Sequence, residues 1–588
     1  MWLSRRVRLL LGLLVAGVAL LALACRPTAA PTPTPVPPSP TPTARAVPSP
    51  TPTTAPAPGA PTPVVVVTPT PTRVPPTPTP TGTQIRYGGI LRTHSPDWPP
   101  SYDVQVNFSN NHVYYLAKFY NNLLWNPGED EIECDVCTDW KVQDGGKTIV
   151  FNLRRDVKFH DGKPMTARDV ADSHNKMMGL VDGVISPRSG LLKEYIEKIE
   201  TPDDYTVVFR LYRPAPIIPR LLIIGFSGIF PEGTTREDLV KGPRGSGPFM
   251  LKEAIQGSVM RTVKNPNYFK QGKPYLDGID IYQIRDTNTV LASFFTGRLD
   301  FVRPPSALPP DQQPRWDSMK ARGQIQDYVY QTGCTPQGIN INAKRAPLND
   351  LRVRQAINLA IDRKAYIEAV HYGWAKPGGL FSVGGFTQWK EEDFWDKVPG
   401  FGTGANKEKE REEAKRLLAE AGFPNGVEIP MWFRNTTEYV RQGEFLAGEL
   451  AKVGIRAKVE ILDASQINER GPKVDYYMWA YYFCRTTTDP DELWGSYFLT
   501  GGNRNWFGYS NPEFDKLFVE QSQELDVAKR IFLNRQMEQI IRRDLPIADL
   551  AEQQASHGWW WYVKGYRFAS TFYSGQSQRQ EDVWLAPH

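Results

Sequence analysis

The chain has 588 residues, 69 Lys plus Arg against 64 Asp plus Glu, a formal net charge of +5 and five cysteines. The excess of positive charge sits in one place. Arg5, Arg6, Arg8, Arg26, Arg45 and Arg73 lie in residues 1–82, where there is no acid, and subtracting those six leaves residues 83–588 at −1. A neutral folded part has no electrostatic footprint for DNA or RNA, which excludes nucleic acid as a partner class.

The first predicted element is an export signal over residues 1–24. Three arginines precede an apolar run from Leu9 to Ala24 that is short for a membrane span. Two readings of its processing stand. Ala22-Leu23-Ala24 fits a secretory A-x-A site, whereas Cys25 directly after it resembles a bacterial lipobox, whose cysteine is lipidated and becomes the new N-terminus. Ala22 stands where a lipobox usually has leucine. Residues 25–82 are then almost wholly Pro, Thr, Ala, Val and Ser ("PTPTPVPPSPTPT", "VPPTPTPTGT"). Such a segment cannot bury a core and is expected to be an extended, PPII-like tether reaching at most ~180 Å at ~3.1 Å per residue. A stiff tether next to a lipid anchor favours Cys25 as the anchor, with simple secretion as the alternative. The threonine density also permits O-glycosylation.

About 500 residues remain, enough for two or three domains, with no second long apolar run and no fixed-period repeat. Tyr87-Gly88-Gly89-Ile90-Leu91-Arg92 reads as an opening strand. Cys134-x-x-Cys137 follows; without a second CxxC or a nearby histidine it reads as a small loop disulfide, with a metal or redox site as the alternative. In "DWKVQDGGKTIVFNLRRDVKFHDGKPMTARDV" (139–170), Asp144-Gly145-Gly146 is a turn between two strands. Ile149, Phe151 and Leu153 alternate with Thr148, Val150 and Asn152, and His160-Asp161-Gly162-Lys163-Pro164 is a second turn. Thr166 starts a helix as N-cap, with Asp169 at the capping-box position. Catalytic signatures are missing. Gly146-Lys147-Thr148 looks like the end of a P-loop, but Lys141 occupies the place of its first glycine. G-x-S-x-G and H-E-x-x-H do not occur, and no two of the seven histidines have helical ligand spacing. The expectation is no catalytic residue, no metal and no cofactor.

The 139–170 string, with its order of strand, turn, F-H-D-G and T-A-x-D-V, closely resembles the signature of family 5 extracytoplasmic solute-binding proteins, the peptide and nickel receptors of ABC importers. Further landmarks follow in that family's order: the opening strand at 87–92, Gly245-Ser246-Gly247-Pro248-Phe249, "KNPNYFKQGKPYLDGIDIYQIRDTNTVLASFFTGRLDF", "INAKRAPLNDLRVRQAINLAIDRKAYIEAV", "EAKRLLAEAGFPNG", "ELAKVGIRAKVE" and "GYSNPEFDKLF". In "EAKRLLAEAGFPNG", Ala414, Leu417, Leu418 and Ala421 form an apolar helical stripe and Gly422 is a C-cap candidate. The resemblance runs from about 85 to 570. It implies an α/β, two-lobed, periplasmic-binding-protein-like (class II) fold with an extra domain inserted in lobe I. By carry-over, lobe I is 83–125, 242–333 and 556–588, the extra domain 126–241 and lobe II 334–555. It further implies a monomer with a small-molecule or peptide ligand held between hinged lobes, an ABC permease and ATPase complex as partner, and a place outside the cytoplasm on the cell membrane or in the periplasm.

The segment YYMWAYYFCR (476–485) is apolar on both alternating faces, so it is expected to be buried on both sides, as parallel strands are. Ligands gather at the carboxyl ends of such strands, which places Arg485, Thr486, Thr487 and Thr488 at the cleft; a loop capped by its own Thr and Asp residues before Pro490 is the alternative. The resemblance implies a Cys334–Cys484 disulfide, since both match a cysteine pair of oligopeptide receptors. Those receptors place an aspartate three residues before their D-P or E-P pair to take the peptide ammonium; here that position is Thr486, beside Arg485. A hydroxyl cannot neutralise a buried cation, so the zwitterionic-peptide mode is weakened and Arg485 is free to meet an anionic or carbonyl-rich group, or to pair with Asp489 or Asp491. Phe483, Trp494 and Trp506 are candidate walls and Asn505 a candidate polar contact. Trp559-Trp560-Trp561-Tyr562 resembles the closing strand near the hinge, as core or as ligand wall. Peptide is the default ligand. An oligosaccharide, an anionic metabolite or a metal chelate is the runner-up, and a secreted hydrolase or a sensory or adhesion protein are the readings from other classes.

Overall fold

The computed structural model describes residues 84–588 except 107–109, 129–130, 182–185, 187–188, 304–307, 332–333, 379–385, 436, 485–486, 503 and 569–578. Cys25 and the tether therefore lie outside the described residues, as do Arg485 and Thr486.

Three principal sheets carry the α/β architecture. In the first, Ile90–Ser95 lies parallel to Gly278–Gln283, and Val259–Lys264 and Phe249–Ile255 continue it antiparallel. The second is an antiparallel meander of four strands, Cys137–Gln143, Thr148–Leu153, Thr206–Leu211 and Ile196–Asp203 in spatial order. It lies within residues 126–241, the stretch expected to form the extra domain. Ile149, Phe151 and Leu153 point into its core, as their alternation requires. Helix Ala167–Met177 covers it and starts on the expected capping box: the Thr166 amide and hydroxyl donate to Asp169 Oδ2 at 2.6 and 2.8 Å.

The third sheet has eight strands and joins the lobes. Its order is Phe301–Val302, Ile547–Trp560, Cys334–Ile341, Met478–Cys484, Val427–Arg434 and Ile455–Leu462, with Ile325–Gln331 and Ala375–Pro377 also paired to Ile547–Trp560. The 14-residue strand Ile547–Trp560 changes partners midway. Residues 554–560 pair with Ile325–Gln331, and residues 547–551 pair with Cys334–Ile341. The chain thus leaves the first lobe and returns to it as one antiparallel ribbon. Met478–Cys484 is central and Met478, Trp479 and Ala480 are buried, but its neighbours are mixed: antiparallel Cys334–Ile341 on one side and parallel Val427–Arg434 on the other. The expectation of purely parallel neighbours fails because the strand arriving from the first lobe enters the sheet in the opposite sense. Helix Ala405–Glu420 buries Ala414, Leu417 and Leu418, and Gly422 follows it with a φ of 95°, the left-handed position at which glycine ends helices.

Two contacts fasten the extra domain to the first lobe. The F-H-D-G turn docks on the glycine turn at 245–249: the His160 amide donates to the Gly245 carbonyl at 2.8 Å, and its Nε2 lies 3.0 Å from the Gly247 carbonyl. Asp135, between the bridged Cys134 and Cys137, accepts from Arg579 Nη2 at 3.0 Å and ion-pairs with Lys270 at 2.8 Å. Burial would raise the Asp135 carboxyl, but the Arg579 and Lys270 charges outweigh it and hold the group well below the usual carboxylate range. A Cβ on Gly247 would lie 2.4 Å from the Phe119 carbonyl carbon, against backbone that cannot yield. Gly247→Ala is therefore expected to destabilise the fold by roughly 1–3 kcal/mol, read as a lower guanidinium midpoint at unchanged slope; an unchanged midpoint would refute this packing account.

Candidate functional site

The loop after Met478–Cys484 is built around buried charge. Asp489 caps helix Pro490–Leu493 by accepting from the Asp491 amide at 3.0 Å. Arg530, from helix Val527–Asp544, holds both carboxylates: its Nη1 and Nη2 donate to Asp489 at 2.8 and 2.7 Å, and Nη2 donates to Asp491 Oδ1 at 2.8 Å. All three side chains are buried. Gln521 Nε2 donates to Asp491 at 2.6 Å, Asn534 Nδ2 to the Gln521 carbonyl oxygen at 3.0 Å, and Trp494 Nε1 to Asn534 at 2.6 Å. Asp489 and Asp491, the carboxylates considered for Arg485, are thus both bound by a distant arginine. The Asp491 carboxyl is pushed up to about 6, by burial first and by the Asp489 charge second.

Of the candidate ligand contacts, the structure brings some together and disperses others. Trp494 lies inside an aromatic cluster, with Phe498 and Phe514 ring centroids at 5.6 and 5.4 Å, and is a core residue rather than a wall. Asn505 is spent on its own turn: it donates to the Leu499 and Tyr509 carbonyls at 2.9 and 2.7 Å and accepts from the Tyr509 amide at 3.0 Å. Trp506, half-buried, stacks on Trp479 at 5.8 Å. Phe483 lies within Met478–Cys484, and Cys334 and Cys484 are directly opposed in the antiparallel ladder; the side chains of these three lie outside the described residues. Trp559, Trp560 and Tyr562 belong to the core of the first lobe, with Tyr562 Oη donating to Asp300 at 2.7 Å.

Residue-type spacing did not point to two further groups. The ring centroid of Tyr114 lies 3.9 Å from Lys118 Nζ and 4.0 Å from the Arg303 guanidinium. Lys118 also donates to the Tyr114 carbonyl at 2.8 Å, and His94 Nε2 accepts from the Arg303 amide at 3.2 Å. Burial, helped by the Arg303 charge, holds Lys118 well below its ordinary range and His94 down to about 3. Lys118 and Arg303 are both buried here. The second group reaches across from the extra domain: Arg213 Nη1 donates to Ser522 Oγ at 2.6 Å, Arg220 Nη1 to Thr488 Oγ1 at 3.0 Å, and Tyr195 Oη to Asp491 Oδ2 at 3.5 Å. Sequence distance hid these groups, since the partners lie up to 309 residues apart. Among the described residues, no three His, Cys, Asp or Glu side chains converge as metal ligands.

Two lobes joined by a paired ribbon are a two-lobed α/β architecture. Residues 131–505 match bacterial extracellular solute-binding proteins, family 5 (middle region), and the chain belongs to that family. It is 27% identical over 481 residues to heme-binding protein A of Haemophilus influenzae, covering 76% of this chain and 84% of that one. It is 25% identical over 447 residues to the glutathione-binding protein GsiB of Salmonella choleraesuis, covering 73% and 82%. The ABC transporter-associated periplasmic binding protein DppA of Helicobacter pylori, solved with the peptide STSA, superposes with a TM-score of 0.69 at 23% identity over 85% of this chain and 99% of that one. The chain is a solute-binding component of the ABC-importer type, and its relatives are named as binding proteins.

Removing Arg530 strands two buried carboxylates. Arg530→Met is expected to cost roughly 3–5 kcal/mol in denaturant unfolding, and a loss under 1 kcal/mol would show that the network is not structural. The folded-state value of Asp491, about 6, lies above its ordinary 3.8, so its contribution to stability is full below 3.8 and is lost as pH rises through 6. Asp491→Asn should flatten that part of the stability profile between pH 4 and 7; a profile identical to the parent's would sink the assignment.

Proposed function

We propose that this chain is a lipid-anchored receptor that captures one solute between its lobes, without chemical change to it, and presents the closed form to a membrane permease. Membership of family 5 carries this reading. The proposed lobe I comprises 83–125, 242–333 and 556–588, carries the extra domain 126–241, and faces lobe II, 334–555; the partner change within Ile547–Trp560 supports a hinge at the paired crossing strands. The proposed anchor is Cys25, followed by the tether 25–82.

Peptide remains the default ligand, and the peptide-bound DppA structure supports it. A non-peptide or strongly anionic solute is the second reading. It is favoured by Thr486, which stands where the family's peptide receptors carry an ammonium-binding aspartate. The names of the heme- and glutathione-binding relatives are in keeping with it. The proposed ligand-facing set is Phe483, Arg485, Thr486 and Trp506. Trp494 and Asn505 act behind it, as the packing and turn that place the loop.

Native mass spectrometry of the freshly purified full chain, followed by titration with peptides, glutathione and hemin, tests the reading. A co-purified small molecule, or submicromolar binding of one probe with a fall in radius of gyration, is the expected outcome. A chain that binds none of them and never changes shape would overturn it. Cys334 and Cys484 face each other across a ladder pair, a placement compatible with a disulfide. A non-reduced digest should yield their two peptides linked, and free peptides would reject the bond.

A further inference from the structure

We propose that the extra domain is the latch of this receptor: Arg213, Arg220 and Tyr195 are positioning residues that hold lobe II against lobe I in the closed arrangement. The proposal rests on the solute-binding reading and assigns a task to a domain which that reading leaves without one.

The geometry has three parts. On the extra-domain side, the Arg213 guanidinium lies 5.2 Å from the ring centroid of Tyr195, so the two side chains support each other, and Arg220 projects from the short helix Ile218–Leu222, whose Leu221 and Leu222 are buried in the domain core. On the lobe II side, the targets are fixed. Ser522 belongs to helix Pro512–Gln523 and has its hydroxyl within 3.2 Å of the Val519 carbonyl; Thr488 precedes Asp489, which Arg530 clamps. Between them run hydrogen bonds of 2.6 and 3.0 Å from guanidinium donors to hydroxyl acceptors, and the longer Tyr195–Asp491 contact.

A latch also needs a rigid mount. Asp135 is bound by Arg579 and Lys270, and His160 sits on the 245–247 turn, so the extra domain is tied to lobe I at two separated points. A force applied at Arg213 or Arg220 is therefore carried into lobe I. The receiving end is the buried-charge loop that Arg530 holds, through Thr488 and Asp491, and the helix that bears Ser522.

The test uses the full chain. Hydrogen exchange of segments 487–493 and 518–523 and the radius of gyration from small-angle scattering are measured for the parent, for R213M/R220M, and for T488V/S522A, which removes the acceptors from the opposite lobe. Loss of charge-assisted hydrogen bonds should speed exchange in both segments by about tenfold or more and enlarge the radius of gyration in both variants. Circular dichroism checks that each variant is folded; should R213M/R220M fail to fold, T488V/S522A still decides. Exchange and scattering equal to the parent's in a folded variant would overturn the latch. That result would leave the solute-binding reading intact, because ligand co-purification tests it separately.

Discussion

The constraint on which the rest of this structure depends is that the chain must pass between two lobes without leaving backbone donors and acceptors unpaired. A buried unpaired amide costs about as much as a lost hydrogen bond. Here the outgoing and returning segments satisfy each other: Ile325–Gln331 and Cys334–Ile341 both run antiparallel to Ile547–Trp560. The change of partner therefore falls inside one continuous strand, so the crossing keeps its ladder paired. The packing against it is close. A Cβ on Gly558 would come within 2.0 Å of the Trp316 ring, so glycine at this position lets the helix Gln313–Ala321 lie directly on the crossing strand.

Charge then settles which surfaces dock beside the ribbon. Buried ion pairs add little net stability, because desolvation offsets the attraction, but breaking one is costly. They therefore act as registration marks. Asp135 with Arg579 and Lys270 fixes the extra domain on lobe I, and Asp489 with Asp491 and Arg530 fixes the loop at the end of Met478–Cys484. Each cluster stiffens the segment that bears it.

What the sequence made legible was local. The capping box at Thr166 and Asp169, the alternation of Ile149, Phe151 and Leu153, and the glycine end of Ala405–Glu420 each depend on neighbours within a few residues, and each has the expected form. The candidate site was less legible, because its chemistry is long-range. Trp494 looked like a ligand wall since aromatic side chains beside a loop often are, yet Asn534, 40 residues away, takes its indole N–H into the core. Asn505 carries no pattern that separates a turn-former from a ligand contact. Lys118, Arg213, Arg220 and Arg530 sit in unremarkable stretches, and only the fold brings them to the junction.

The sign of charge at the junction bears on what the receptor can hold. An ammonium group leaving water needs a carboxylate nearby. The buried carboxylates of the 487–491 loop, Asp489 and Asp491, are already bound by Arg530, and Gln521 takes a further place on Asp491. Position 486 offers a hydroxyl. On the facing lobe, Lys118 and Arg303 flank one tyrosine ring, and the buried histidines His94 and His557 beside them are held neutral by desolvation and by Arg303. On the proposed reading, with Asp489 and Asp491 already bound by Arg530, a ligand that brings negative charge or carbonyl oxygens is favoured over one that brings a free amine.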